Sequence, residues 1–286
     1  MITLPYEIVD VFTDRPFTGN PLAVVYAADH LGTDQMQALA GEFNLSETVF
    51  LLTPTRSEAT YRARIFTPDE ELPFAGHPSV GAAVSYSRRN GTGAGQVVQE
   101  CGAGLLPIAV HPDGAATLTG GPPTVGPPLD PAPLLAVAGL AADDFAGPAP
   151  RMAGCGLEWP YLSVRPDAVV RARGNTSIEP GIVSVFAWDP ENRVGHARVF
   201  APSRGVPEDP ATGSAALGFG LWLVAAGLLP GEGQSEYTIR QGMEIHRPST
   251  LSCTVTATGG VAVSATVSGH VVPIARGEIA VPPFVG

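Results

Sequence analysis

Two segments of this chain match each other. RIFTPDEELPFAGHPSVGAA begins at Arg64, and RVFAPSRGVPEDPATGSAAL begins at Arg198. Read without a gap, they sit at an offset of 134 residues. Arg64, Phe66, Pro68, Pro73 and Ala82 then fall on Arg198, Phe200, Pro202, Pro207 and Ala216. The chain has 286 residues, so the offset is nearly half its length. Coincidence among common residues is the alternative reading. Duplication predicts two domains of like fold facing each other. The expected N-terminal domain is 1–119, completed by the C-terminal segment 272–286. The expected C-terminal domain is 120–271.

Local patterns agree with a repeat. Each copy opens on an alternating, strand-like stretch, Tyr61–Phe66 and His196–Phe200. Each then passes through a proline-rich loop into a small-residue helix, Ser79–Ser87 and Gly213–Gly227. The second helix is apolar on every face, with Leu217, Phe219, Leu221, Trp222, Leu223 and Val224. A helix without a polar face must be enclosed on all sides. The remaining pattern is mostly short strands between Gly/Pro/Asp turns: 7–12, 22–26, 48–52, 96–101, 107–110, 115–119, 181–188, 237–241, 251–257 and 261–267. Such spacing suggests barrels or sandwiches. Thr33–Phe43 reads as a surface helix capped by Thr33. Gly120–Pro133 reads as a linker.

Composition removes several functions. Hydrophobic residues make up 44% and charged residues 15%, which marks a globular chain. The net charge of −11 repels phosphate backbones, so nucleic-acid partners are not expected. All 16 basic residues are arginine. Without lysine there is no lysine Schiff base and no P-loop. Cys101, Cys155 and Cys253 are too scattered for a zinc pattern or a disulfide framework. No metal-site spacing is present. The cysteine usage points to a cytoplasmic setting. The N-terminus lacks the look of a signal peptide. The longest apolar run, Leu217–Leu229, falls short of the roughly 20 residues of a bilayer span, so no membrane partner is expected.

Three loops carry the chemistry. Glu47, in Asn44-Leu-Ser-Glu-Thr48, sits where a helix ends and a β-branched run begins. It is either half of a capping box with Asn44 or a carboxyl in apolar surroundings that exchanges protons near neutrality. Phe74-Ala-Gly-His-Pro78 opens the first enclosed helix. Gly76 lets a ligand approach the backbone there, and the helix amides favour an anion. His77 is either a solvated loop residue or a proton carrier. Glu208-Asp-Pro-Ala-Thr-Gly-Ser214 holds the matching place in the second half. Asp209 is either a plain N-cap or a functional acid, while Thr212, Gly213 and Ser214 offer exposed amides and hydroxyls. Two such helix starts would suit a carboxylate or an enolate-like charge. Asn20, in a Gly-Asn-Pro turn, is a lesser ligand candidate. Arg247 pairs with a substrate carboxylate or with a surface acid. Cys155 reads as a buried structural thiol. His111, His196 and His270 receive no role.

These motifs together resemble the PhzF-like isomerase family of phenazine biosynthesis, related in fold to diaminopimelate epimerase. The matching segments are DVFTDRPFTGNPLAVV (10–25), NLSETVFLL (44–52), the two repeats above, and QGMEIHRPSTL (241–251). The resemblance implies an α+β fold of two pseudo-symmetric domains, each a β-barrel wrapped around a central α-helix. It implies a homodimer and no cofactor. It places the family's catalytic glutamate on Glu47 and its histidine on His77. Asp209 and Ser214 follow from the D-P-A-T-G-S loop, with Gly76 and Gly213 as backbone contributors. The epimerase relatives carry two cysteines at these helix starts, and this chain has none there. Two departures stand out. His246 precedes Arg247 where glycine is common, and Gly154-Cys155-Gly156 replaces a Thr-Gly type of loop. The implied activity is a cofactor-independent allylic or tautomeric proton shift on a small unsaturated carboxylic acid. Glu47 is its acid/base, in secondary metabolism such as an antibiotic pathway. The other readings are an epimerase or racemase on an amino-acid derivative, and a non-catalytic small-molecule binder.

Overall fold

The computed structural model describes residues 2–178 and 181–283. The last three residues of the segment expected to complete the N-terminal domain, 284–286, lie outside the described residues. The chain forms two compact units, residues 2–118 with 268–283, and residues 119–267.

The first unit contains β1 (Thr3–Val11), β2 (Asn20–Val25), α1 (Thr33–Phe43), β3 (Glu47–Leu52), β4 (Tyr61–Phe66) and the short β5 (Glu71–Leu72). Then come α2 (Gly76–Asn90), β6 (Gly95–Cys101), β7 (Gly104–Val110) and β8 (Ala115–Thr119). β1 pairs antiparallel with β2, β2 parallel with β3, and β3 antiparallel with β4. β4 runs parallel to β6, and β6, β7 and β8 follow as antiparallel neighbours. The chain's last strand, numbered β17 below (Val261–Ala280), joins β8 to β1. Eight strands thereby close into a barrel with no free edge.

The second unit contains β9 (Pro123–Pro128), α3 (Pro131–Val137), β10 (Arg151–Cys155), β11 (Glu158–Ser163), α4 (Pro166–Arg171), β12 (Val183–Asp189) and β13 (Val194–Ala201). These precede β14 (Val206–Asp209), α5 (Gly213–Ala225), β15 (Gly233–Gln241), β16 (Ser249–Thr258) and the first residues of β17 (Val261–Ala280). Its pairings repeat those of the first unit. β10–β11 are antiparallel, β11–β12 parallel, β12–β13 antiparallel, β13–β15 parallel and β15–β16 antiparallel. The parallel steps β2→β3 and β11→β12 each need a crossover, and α1 and α4 supply them.

The helices bury as their sequences demand. Leu217, Leu221, Trp222 and Leu223 of α5 are fully enclosed. Phe219 meets Phe186 at 4.6 Å between ring centroids, and Trp222 meets Phe186 at 4.8 Å, edge to face. Two tyrosines reach in from the wall. Tyr161 Oη donates to the Ala215 carbonyl at 2.6 Å, and Tyr237 Oη donates to that of Ala216 at 2.8 Å. Gly220 makes the second approach possible, since a Cβ there would sit 2.5 Å from the Tyr237 hydroxyl. In α2, Val80, Ala82 and Ala83 are fully buried. Outside the first barrel, α1 lays Met36, Leu39 and Ala40 on Val25, Phe50 and Phe66. Outside the second, α3 and α4 cover Leu162, Val183, Val185 and Phe200. The strands beneath these helices are buried on both faces, so Thr48–Leu51 reads as a continuous run instead of an alternation.

Several expectations need correction. The gapless match holds for Arg64 and Arg198, both at the same place on β4 and β13. It holds also for Phe66 and Phe200, in the same register against Thr48 and Val183, and fails in the loop after these strands. The helix starts Gly76 and Gly213 lie 137 residues apart, because the second half carries three more residues in the loop between strand and helix. The matches Pro73/Pro207 and Ala82/Ala216 are therefore not structural equivalents. α2 begins three residues before Ser79, since Pro78 is tolerated in a first helical turn. Gly32, not Thr33, is the N-cap of α1, and its N–H donates to Gln35 Oε1 at 3.0 Å. The Gly120–Pro133 stretch is no linker. It contains β9, which pairs with β10.

Candidate functional site

The first unit brings four of the expected residues together. Asn44 terminates α1 in the left-handed region (φ +50°), with its N–H donating to the Ala40 carbonyl at 3.0 Å. Two residues separate it from β3, and Glu47 is that strand's first residue. The capping-box reading of Asn44 and Glu47 is thereby excluded, because Asn44 closes a helix and no helix follows. Glu47 pairs with Leu22 of β2, two residues from Asn20. Asn20 opens β2 and is fully buried. Both strand starts lie beside the start of α2, where His77 is the second helical residue and 3% exposed. His77 is therefore not a solvated loop histidine.

The geometry is compact. His77 Nδ1 stands 3.3 Å from Glu47 Oε2 and 3.2 Å from Asn20 Nδ2. The Glu47 side chain is 15% exposed. Burial pushes the His77 imidazole down to about 3, the hydrogen bond with the Pro21 backbone opposing it. His77 is thus neutral near pH 7 and carries one ring proton. The Glu47–His77 approach is a close polar contact between a neutral ring and a carboxyl, not an ion pair. Ala75, the N-cap of α2, has no side chain to cap the first-turn amides, Gly76 among them.

The second unit assembles the other four. Asp209 ends β14 and is 8% exposed. It is not the N-cap expected from Asp-Pro, for α5 begins only at Gly213 and Thr212 takes the cap position. The Thr212 hydroxyl donates to Asp209 Oδ2 at 2.5 Å instead of capping the helix. Gln241, at the end of β15, ties the loop together. Its Nε2 donates to the Asp209 carbonyl at 2.7 Å and to Thr212 Oγ1 at 3.0 Å, while its Oε1 accepts from the Thr212 N–H at 3.3 Å. Ser214 Oγ accepts from Trp159 Nε1 at 3.0 Å. Thr212, Gly213 and Ser214 are buried, where exposed amides and hydroxyls were expected.

The remaining residues fall outside these groups. Cys155 is 2% exposed, and burial raises its thiol to about 11, which suits a structural thiol. His246 is exposed and sits at φ +58°, a conformation that glycine adopts without strain. Gly242 needs its own left-handed φ of +78°, since a Cβ there would lie 2.6 Å from the Pro210 carbonyl. Arg247 closes that bend through its N–H to the Gly242 carbonyl at 2.9 Å. Sequence reasoning missed His196, whose Nε2 is 2.9 Å from Glu244 Oε1. It also missed Gln241. Their signal was the alternation of β13 and β15, which puts them on opposite faces: His196 lies level with the exposed Arg240, and Gln241 takes the buried side. Among the described residues no group of three or more His, Cys, Asp or Glu is arranged to hold a metal ion. No helix among them is long and apolar enough to cross a membrane.

Two similar units, each with a helix start beside buried polar groups, define the α+β class of diaminopimelate epimerase-like folds. The chain belongs to the phenazine biosynthesis-like protein family, whose model matches residues 9–277. It is an isomerase. It is 38% identical to an uncharacterized isomerase of Mesorhizobium japonicum, over 98% of this chain and 99% of the relative. It is 34% identical to the trans-2,3-dihydro-3-hydroxyanthranilate isomerase of Pseudomonas aeruginosa, over 96% of this chain and 98% of that enzyme. The crystal structure of a PhzF-family phenazine biosynthesis protein from Bacillus anthracis superposes with a TM-score of 0.85 at 26% identity. The match covers 98% of this chain and all of that one.

Proposed function

We propose that this isomerase moves a proton between two carbons of a small unsaturated carboxylic acid, an allylic or tautomeric shift, with Glu47 as the single acid/base. The supporting observation is the Glu47–His77 contact, a mostly buried carboxyl 3.3 Å from a neutral imidazole. A carboxylate in this setting removes a proton from an acidified carbon and returns it to a second carbon on the same face. Low exposure slows loss of that proton to water during transfer. Neutral His77 donates or accepts a hydrogen bond without adding charge, and Asn20 fixes its ring at Nδ1. The Gly76 amides at the start of α2 favour a substrate carboxylate or the enolate-like charge that develops. In the second unit, Asp209 and Ser214 are assigned hydrogen bonding or proton relay, with Thr212 and Gly213 in substrate binding. No cofactor is part of the reading, and the enzyme acts as a homodimer in secondary metabolism, for example an antibiotic pathway.

The experiment is Glu47→Gln. It preserves size and one hydrogen-bonding oxygen but cannot accept the proton. With trans-2,3-dihydro-3-hydroxyanthranilate as probe, or another unsaturated acid that the parent isomerises, kcat should fall by about 10²- to 10⁴-fold. A folded variant working at the parent rate would remove Glu47 from the mechanism.

A further inference from the structure

The duplicated arginine has a structural task that the Glu47 reading leaves unused. Arg64 and Arg198 occupy the same place in the two repeats, each on a strand whose neighbour is the short segment leading to the enclosed helix. Each grips a glutamate on that short segment through both oxygens. Arg64 Nε donates to Glu71 Oε1 at 2.7 Å and Nη2 to Oε2 at 2.5 Å. Arg198 Nε donates to Glu208 Oε1 at 2.9 Å and Nη2 to Oε2 at 2.7 Å. Glu71 stands five residues before the helix start at Gly76, and Glu208 five residues before Gly213. The spacing from glutamate to helix is thus identical, although the spacing from arginine to glutamate is not. Whatever altered the loop kept the distance from clamp to helix start.

Each arginine also reaches the crossover helix outside its own barrel. Arg64 Nη2 donates to Thr33 Oγ1 at 3.1 Å, at the start of α1. Arg198 Nη1 donates to the carbonyls of Val169, Val170 and Ala172 at 3.1, 3.2 and 2.7 Å, at the end of α4. Strand, helix and short segment are joined by one planar fork. The two joints differ in burial. The Arg64 side chain is 17% exposed and that of Arg198 is 2% exposed. The second joint extends further. Glu244 lies 3.9 Å from Arg198 Nε and accepts from or faces His196 Nε2 at 2.9 Å. Glu244 belongs to the turn after Gln241, the residue that holds the Asp209 carbonyl and Thr212. Glu208 is the immediate neighbour of Asp209. The second clamp therefore grips the segment before Asp209 and faces, across 3.9 Å, the turn that follows Gln241.

We propose that Arg64–Glu71 and Arg198–Glu208 are a duplicated pair of positioning clamps, each fixing the loop that delivers one helix start to the reaction. The second clamp is the more stringent. The role in the reaction rests on the proposed isomerase mechanism. Neither arginine is assigned a contact with substrate, and both act through the loops they hold. A plain requirement for positive charge would be met by lysine. A requirement for the bidentate fork would not.

The test compares Arg198→Lys, Arg64→Lys, Glu208→Gln and the double variant Arg198→Lys/Glu208→Gln, with Arg88→Lys as control. Arg88 pairs with Glu7 at 3.0 Å and leads to no helix start. Two quantities are read, both well below each variant's unfolding temperature. Amide exchange at residues 209–214 and 76–80 needs no substrate, and kcat and KM are taken on the probe named above. Arg198→Lys should raise exchange at 209–214 and lower kcat by about 10²-fold, since a misplacement near 1 Å costs that much. Arg64→Lys should raise exchange at 76–80 and lower kcat by a smaller factor. The double variant should be no worse than the worse single variant, because the pair acts as one unit. Unchanged exchange in the loops, or a kcat within about twofold of the parent, overturns the proposal. So does an Arg88→Lys variant that loses as much. If Arg198→Lys fails to fold, the more exposed Arg64→Lys decides. Glu47→Gln at the parent rate would sink the mechanism alone, leaving the clamps to stand or fall on the lysine variants.

Discussion

The buried His77 sets a specific pH dependence of stability. In the folded chain its imidazole is held down to about 3 by burial, against 6.5 for the free side chain. Between those values the unfolded chain binds a proton that the folded chain does not. Stability therefore falls as the pH drops below 6.5 and continues to fall toward the folded value. Integrated from about pH 7.5 to about pH 5, the loss is about 2 kcal/mol. That figure depends on the unfolded value alone so long as the folded one stays below about 4. The assay is urea unfolding of the parent and of His77→Asn at both pH values. Every other titrating group is common to the two proteins, so the difference between their losses isolates His77. The parent should lose about 2 kcal/mol more than the variant. Equal losses, or a parent that resists acid better than the variant, would show that His77 is charged or solvated in the folded chain. The neutral Glu47–His77 contact would then be refuted.

Two further predictions concern the second barrel. Trp222→Ala leaves a void among Phe186, Phe219 and the barrel wall and should cost about 3–5 kcal/mol, read as a lower urea midpoint at unchanged slope. Tyr237→Phe removes the hydroxyl that donates to the Ala216 carbonyl and accepts from the Gly220 N–H at 3.1 Å; it should cost about 1–3 kcal/mol in the same assay while adding no void.

Much of this fold is written in local pattern. The enclosed α5 follows from an apolar run with no polar face, and α1 from its stripe of Met36, Leu39 and Ala40. The repeat announced two like units, and the arginines mark it on the correct strands. Other elements are set by their neighbours. β9, with sequence PTVGPP, has few N–H donors and becomes a strand because β10 offers a partner. The short α3 and α4 are held by burial against the outer faces of β11, β12 and β13, not by propensity. The site divides in the same way. Glu47 was legible as an acid at a helix-to-strand junction. Its partnership with His77, 30 residues on, needs the parallel β2–β3 pairing and the start of α2 at Gly76. The burial of Ser214 under the Trp159 indole depends on β11 lying against α5, which no local pattern around Ser214 encodes. The second-barrel network of His196, Arg198, Glu208 and Glu244 comes from three separate segments, and only Arg198 stood out in the repeat.

The central claim is that one carboxyl, Glu47, both takes and returns the migrating proton. It is tested most directly with substrate deuterated at the carbon that loses the proton, isomerised in ordinary water. The account predicts that part of the label reappears on the receiving carbon of the same molecule, and that Glu47→Gln abolishes both turnover and transfer. A product that retains no label, from a Glu47→Gln enzyme still working at the parent rate, would contradict it.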